Sequence, residues 1–180
     1  MYKRKLRLDV DRVKHIRTLV NSCLRGINCS EPPVPVEEVS AFLGAKLLFA
    51  PYDGDGLAGM LIQTGNQPVI AINSAHHKNR QRFTIAHECG HLVLGHQGET
   101  YVDRSFEVIR RDATSSEATD IAEVEANQFA AELLMPIKFL VRDMPGIGVD
   151  FESDDKVTSL AKRYGVSAQA MSYRIANLFM

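Results

Sequence analysis

The stretch RFTIAHECGHLVLGH, from Arg82 to His96, constrains this chain more than any other. Its apolar residues Phe83, Ile85, Ala86, Cys89, Leu92 and Val93 cover most of a helix's circumference. A helix of that kind runs through the middle of a core. Within it His87, Glu88 and His91 spell H-E-x-x-H. On an α-helix, His87 and His91 lie about one turn apart on one face, so both imidazoles reach a single ion. Glu88 is one residue round from His87, beside such an ion but off it, where it can take a proton from a water. Cys89 points away from that face and reads as core packing. Catalytic zinc takes three protein ligands and leaves one position open, so the rest of the chain has to supply a third.

A third histidine six residues after the second would complete one known zinc pattern, but Gln97 stands there. His96 follows His91 by five residues and would face roughly 140° away on a continuing helix. Gly95 could break the helix and bring His96 round, which keeps it as an alternative ligand; otherwise it is a helix-end histidine favoured by the dipole. The better candidate lies in DIAEVEANQFAAELLMP, Asp120 to Pro136. Its small residues Ala122, Ala126, Ala130 and Ala131 allow two helices to approach closely. Glu123 and Asn127 share a face. That pair suits Glu123 as the ligand and Asn127 as the group holding a ligand histidine by its other ring nitrogen. Glu125 is rotated about 200° from Glu123 and faces the other way.

Around these two helices the pattern predicts an α+β fold. From Val10 to Ile27 apolar residues recur at helical spacing: Val13, Ile16, Leu19, Val20, Cys23 and Leu24. A proline connector follows, with Pro35 suited to the first turn of a short helix that Gly44 ends. KLLFAPY, GLAGMLIQT and PVIAINS are short apolar runs between the turn residues DGDG and GNQ. They predict a small, mostly antiparallel sheet of about three strands, packed against the helical bundle that carries the H-E-x-x-H helix. Residues 97–117 read as a long loop, and further helices are expected over 136–144, 156–164 and 167–178. The whole chain, 1–180, is expected to form one domain, with 1–30 an N-terminal helix and 155–180 a hairpin of helix-turn-helix outline. Arg174 is the one basic residue in that hairpin's second helix, so direct nucleic-acid binding is not expected.

The balance of residues excludes several other classes. With 180 residues and a formal net charge of -1, the chain can build one good core and shows no overall attraction to nucleic acid or anionic membrane. No apolar run is long enough to cross a bilayer, and the basic N-terminus is followed by no secretory apolar segment. Cys23, Cys29 and Cys89 do not form a disulfide framework, so a reduced, cytoplasmic setting is expected. GLAGMLI, with Gly56 and Gly59, is a candidate sheet edge for receiving an extended peptide, with a plain core strand as the alternative. Tyr101, His96, Tyr173 and Arg174 are open candidates for an oxyanion donor. His76, His77 and the KNRQR run read as solvated residues.

RQRFTIAHECGHLVLGH followed by EVEANQFAAELLMP resembles the ImmA/IrrE family of bacterial metallopeptidases, as do the flanking VIAINS and YGVSAQAMSYRIANL. The resemblance covers roughly residues 35–178. It implies His87, His91 and Glu123 as zinc ligands and Glu88 as the general base of a peptide hydrolysis. Asn127 stands where related zinc peptidases carry an acidic residue. An amide still accepts a hydrogen bond from an imidazole but polarises it less. The resemblance also implies a protein substrate, a helix-turn-helix transcriptional repressor cleaved in trans in a stress or mobile-element programme. The rival expectation is a zinc-stabilised module that binds a repressor or DNA without cutting, its fourth metal position closed by His96 or Cys89.

Overall fold

A computed structural model describes residues 8–52, 57–63, 67–96, 100–103, 116–144 and 154–179. Helix α1 spans Val10–Gly26 and starts where Asp9 accepts a hydrogen bond from the Arg12 amide at 2.7 Å. That bond satisfies one of the amides a helix leaves open at its first turn. Its buried residues, Ile16, Val20, Cys23 and Leu24, are four of the six the periodicity predicts, and Val13 and Leu19 are half-buried. Helix α2 (Val36–Phe42) follows the prolines, with Pro35 as its N-cap and Gly44 at φ 78° beyond its end.

Strands β1 (Lys46–Ala50), β2 (Gly59–Ile62), β3 (Val69–Asn73) and β4 (Thr100–Asp103) form one sheet in the order β1-β3-β2-β4. The expected α+β class holds, and the sheet is mixed. β1 runs parallel to β3, whereas β2 pairs antiparallel with both β3 and β4. β3 lies inside the sheet with Ile70, Ala71, Ile72 and Asn73 buried, as a strand covered on both faces should be. β4 falls within the stretch expected to be loop. Its four residues owe their extended form to pairing with β2, from Gly59 opposite Asp103 to Ile62 opposite Thr100.

β2 is not the free edge that GLAGMLI suggested, because strands flank it on both sides. Its glycine serves a different contact. A Cβ at Gly59 would overlap the Thr84 side chain and come within 2.7 Å of the Ala71 carbonyl oxygen. The room belongs to the next helix and to the neighbouring strand; Gly56 lies outside the described residues. Asn73 ends β3 and ties the surrounding connections. Its amide nitrogen donates to the Leu57 carbonyl at 3.0 Å, and its oxygen accepts from the Ala75 amide at 3.0 Å.

Helix α3 (Lys78–Leu94) opens with His77 as N-cap, whose Nδ1 accepts from the Asn79 amide at 3.2 Å. From Thr84 to His91 every residue of α3 is buried, so this helix does run through the interior. Helix α4 (Ser116–Leu134) packs along it, followed by α5 (Ile137–Asp143), α6 (Asp154–Tyr164) and α7 (Ala168–Phe179). Ile16, Leu24, Ile85, Cys89, Phe129, Leu133, Tyr164 and Met171 belong to one apolar cluster that joins these helices to the sheet.

The α6–α7 hairpin turns at Gly165 (φ 65°), whose carbonyl accepts from Arg82 Nε at 3.2 Å. Tyr164 donates to Asp143 at 2.8 Å. Arg174 is buried, donates through Nε to the Met135 carbonyl at 3.2 Å and pairs through Nη2 with Glu132 at 2.7 Å. This arginine, weighed above for an oxyanion or for DNA, is thus committed to the interior. No helix among the described residues is long and apolar enough to cross a membrane.

Candidate metal centre

The site is built where α3 and α4 touch backbone to backbone. A Cβ on Gly90 would lie 3.1 Å from both Ala126 Cα and Phe129 Cβ. Glycine on one helix opposite alanine on the other removes the side chains that would hold the axes apart. Of the small residues noted on the second helix, Ala126 is the one at this contact. Helix–helix distances depend on the side chains at the crossing, and small residues here permit a close approach. His87 and His91 then face Glu123 and Asn127 directly.

His87 Nε2 and His91 Nε2 stand 3.0 Å apart. Glu123 brings Oε2 to 3.3 Å from His87 Nε2 and Oε1 to 3.6 Å from His91 Nε2. One ligand atom from each residue lies within 4.8 Å of the others. Donor atoms about 2.0–2.1 Å from a tetrahedral ion are about 3.3 Å from one another, so the observed spacings fit a single divalent cation. Two imidazoles and a carboxylate form the donor set of an open, three-ligand site. Burial pushes the His91 imidazole down to about 3, helped by His87 and His96 and opposed by Glu123. His91 therefore stays neutral, the form that ligates a metal.

Asn127, Glu88 and Cys89 lie on the same two helices. Asn127 Oδ1 meets His87 Nδ1 at 3.1 Å, the contact its spacing from Glu123 predicts. Glu88 lies in the continuously buried part of α3 and is fully shielded from solvent. Cys89 is also fully buried, in the apolar cluster, and burial raises its thiol far above the ordinary value. It packs the core as expected.

His96 is where the structure departs most from extrapolation. Gly95 takes a left-handed conformation (φ 67°) that ends α3, and the His96 amide returns to the His91 carbonyl at 3.1 Å. The ring is brought round, but to the far side of His91: His96 Nδ1 is 3.0 Å from His91 Nδ1. Its other nitrogen, Nε2, meets Glu125 Oε2 at 2.9 Å. Glu125 faces away from Glu123 as expected, and α1 supplies its partner. Arg12 donates to both carboxylate oxygens at 2.6 Å. That hydrogen bond holds the Glu125 carboxyl below its ordinary value against the cost of burial, with His96 adding to it. Arg12 and Arg17, the partners of Glu125 and Glu132, were not foreseen from the sequence. The available signal was Glu125 and Glu132, two acids seven residues apart on one face of a helix rich in apolar residues, which demanded cations from elsewhere.

Among the other oxyanion candidates, Tyr173 is exposed on α7, and the Tyr101 side chain lies outside the described residues. A family model described as peptidase M78, IrrE N-terminal-like domain, matches residues 42–176. Over 108 residues the chain is 34% identical to the radiation response metalloprotease IrrE of Deinococcus radiodurans, covering 59% of this chain. The matched part is 30% of that relative's length.

Proposed function

The chain belongs to the IrrE N-terminal-like family of M78 peptidases, and from that premise we propose that it is a zinc-dependent endopeptidase acting on a protein partner. The observation that carries this reading is the convergence of His87, His91 and Glu123 at spacings that suit one ion. In this reading those three residues hold zinc, and residues 1–180 act as a single metallopeptidase domain. A zinc ion held there supplies Lewis acidity, which activates a water molecule and polarises a peptide carbonyl. Glu88 takes the proton of the attacking water and delivers it to the leaving amine. Asn127 holds His87 in the orientation that directs Nε2 at the ligand cluster.

A site that cuts must keep one metal position open. Neither group considered for closing it is aimed there. Both ring nitrogens of His96 are engaged with His91 and Glu125, and Cys89 is buried in the apolar core. This favours cleavage over a purely binding module. The burial of Arg174 against Glu132 likewise disfavours DNA contact by the tail hairpin.

Kinship with a relative named for a radiation response, together with the family resemblance, supports a helix-turn-helix transcriptional repressor as the substrate, cleaved in trans. A stress or mobile-element programme in the cytoplasm is the setting that fits, and the three free cysteines agree with a reducing compartment. The test is to express the wild type and Glu88→Gln in the native host and map new protein N-termini. New termini that appear with the wild type alone identify the substrate. If both forms give the same termini under inducing stress while zinc is bound, proteolysis by this site is refuted.

A further inference from the structure

We propose that His96, Glu125 and Arg12 form a hydrogen-bonded brace on the outer nitrogen of His91, through which helix α1 positions a metal ligand. The inference rests on the reading of His87, His91 and Glu123 as the ligand set. It goes beyond that reading because α1 (Val10–Gly26) lies ahead of the matched family segment, which begins at residue 42.

The chain of contacts is short at every step. His91 Nδ1 to His96 Nδ1 is 3.0 Å, His96 Nε2 to Glu125 Oε2 is 2.9 Å, and Arg12 reaches Oε1 and Oε2 at 2.6 Å each. Proton directions are consistent along it. Once His91 Nε2 faces a metal, its proton resides on Nδ1 and donates to His96 Nδ1. His96 then carries its own proton on Nε2 and donates to Glu125. Glu125, an acceptor at both oxygens, is held by the guanidinium fork of Arg12, a geometry that allows little rotation. The side chains of His96 and Glu125 are 10% and 9% exposed, so water competes weakly for these bonds.

Such outer partners orient ligand histidines and raise their basicity. His87 obtains this support from Asn127 on α4, whereas His91 obtains it from a residue beyond the helix end and ultimately from α1. The two ligand histidines are thus held by two different parts of the fold. The left-handed Gly95 is what makes the second hold possible, since a continuing helix would carry position 96 away from His91.

A matched control exists on the same pair of helices. Arg17 pairs with Glu132 at 2.9 Å, with 33% of its side chain exposed against 34% for Arg12, but that pair does not lead to His91. The experiment titrates zinc into the metal-stripped full chain against a competing chelator, and records the visible spectrum of the cobalt-loaded form as a report on ligand geometry. His96→Ala and Glu125→Gln are expected to weaken zinc about 10–100-fold and to shift the cobalt bands. Arg12→Ala is expected to weaken zinc by a smaller factor, and that effect should vanish in a His96→Ala background. Arg17→Ala should lower the melting temperature without changing affinity. Glu125→Gln keeps the side chain's shape and serves if His96→Ala does not fold. Wild-type affinity and cobalt spectra in these brace variants, or equal effects of Arg12→Ala and Arg17→Ala, overturn the brace. If Glu123→Ala and His87→Ala also bind zinc normally, the ligand reading itself fails; if they lose zinc while the brace variants keep it, only the brace does.

Discussion

His87 and Asn127 meet Nδ1 to Oδ1 at 3.1 Å across the α3–α4 contact, which leaves His87 Nε2 turned toward His91 and Glu123. With Nδ1 engaged by the amide, Nε2 is the ring nitrogen on the side of the candidate ligand cluster. Asn127→Ala should weaken zinc about 10–100-fold. Asn127→Asp should retain or strengthen binding, since a carboxylate accepts the same bond and polarises the ring more. Chelator competition on the two variants measures both effects.

Glu123 is the only acid among the converging triad, and its carboxylate reaches both imidazoles. Glu123→Ala should leave a two-histidine site and reduce bound zinc well below one per chain after gel filtration. Glu88→Gln should keep zinc at the wild-type ratio while losing peptide hydrolysis. Metal analysis by mass spectrometry, run beside a cleavage assay, separates the two roles.

Gly90 inverts the usual rule for glycine within a helix. Propensity alone favours alanine by about 1 kcal/mol. Here the added methyl would sit 3.1 Å from the backbone of α4 at Ala126 and 3.1 Å from Phe129 Cβ, where neither atom is at the end of a flexible chain. Overpacking of this kind costs about 1–3 kcal/mol. Gly90→Ala should therefore lower the melting temperature and also weaken zinc. A rise in melting temperature would show that the helices separate freely.

Glu132 links α1, α4 and α7 through Arg17 and Arg174. Burial alone would raise its carboxyl, but hydrogen bonds from Arg17 and Arg174 and their charges outweigh that, and it lies below the ordinary 4.5. A carboxyl depressed in the folded state contributes stability that is present above its unfolded pKa and lost as pH falls through the folded one. Wild-type stability should thus decline below about pH 4.5 in part through this group, and Glu132→Gln should flatten that decline. Glu132→Ala should cost about 3–5 kcal/mol at neutral pH, because Arg174 would remain buried without its counter-charge. Urea midpoints across pH 3–7 (a range of about four units) check both statements.

What could be read from the sequence follows from how local each relationship is. His87 with His91, and Glu123 with Asn127, are spaced on single helices, where geometry alone decides which side chains share a face. Their convergence also followed from small residues on the second helix. Strand order was not legible. β4 exists through pairing with β2, and placing β2 at an edge required knowing what lay beside it. For His96 the sequence left two directions open, a continuing helix or a break at Gly95; the left-handed Gly95 ends α3 and brings the ring to the outer side of His91, not to the cluster. The Arg12–Glu125 contact joins residues 113 positions apart, with no local pattern to announce it.

The contact between Gly90 and Ala126 has a counting property. His87 and His91 stand three residues before and one after Gly90, and Glu123 and Asn127 stand at the same two offsets from Ala126. Each helix therefore contributes by one shared address, measured from the point where the backbones touch. A single-residue insertion between offset and contact would turn a candidate ligand by about 100° and break the convergence. Lengthening the connections outside α3 and the contacting stretch of α4 leaves the address unchanged. The convergence of these four side chains thereby depends on the register of two helices and not on the length of the segments that join them.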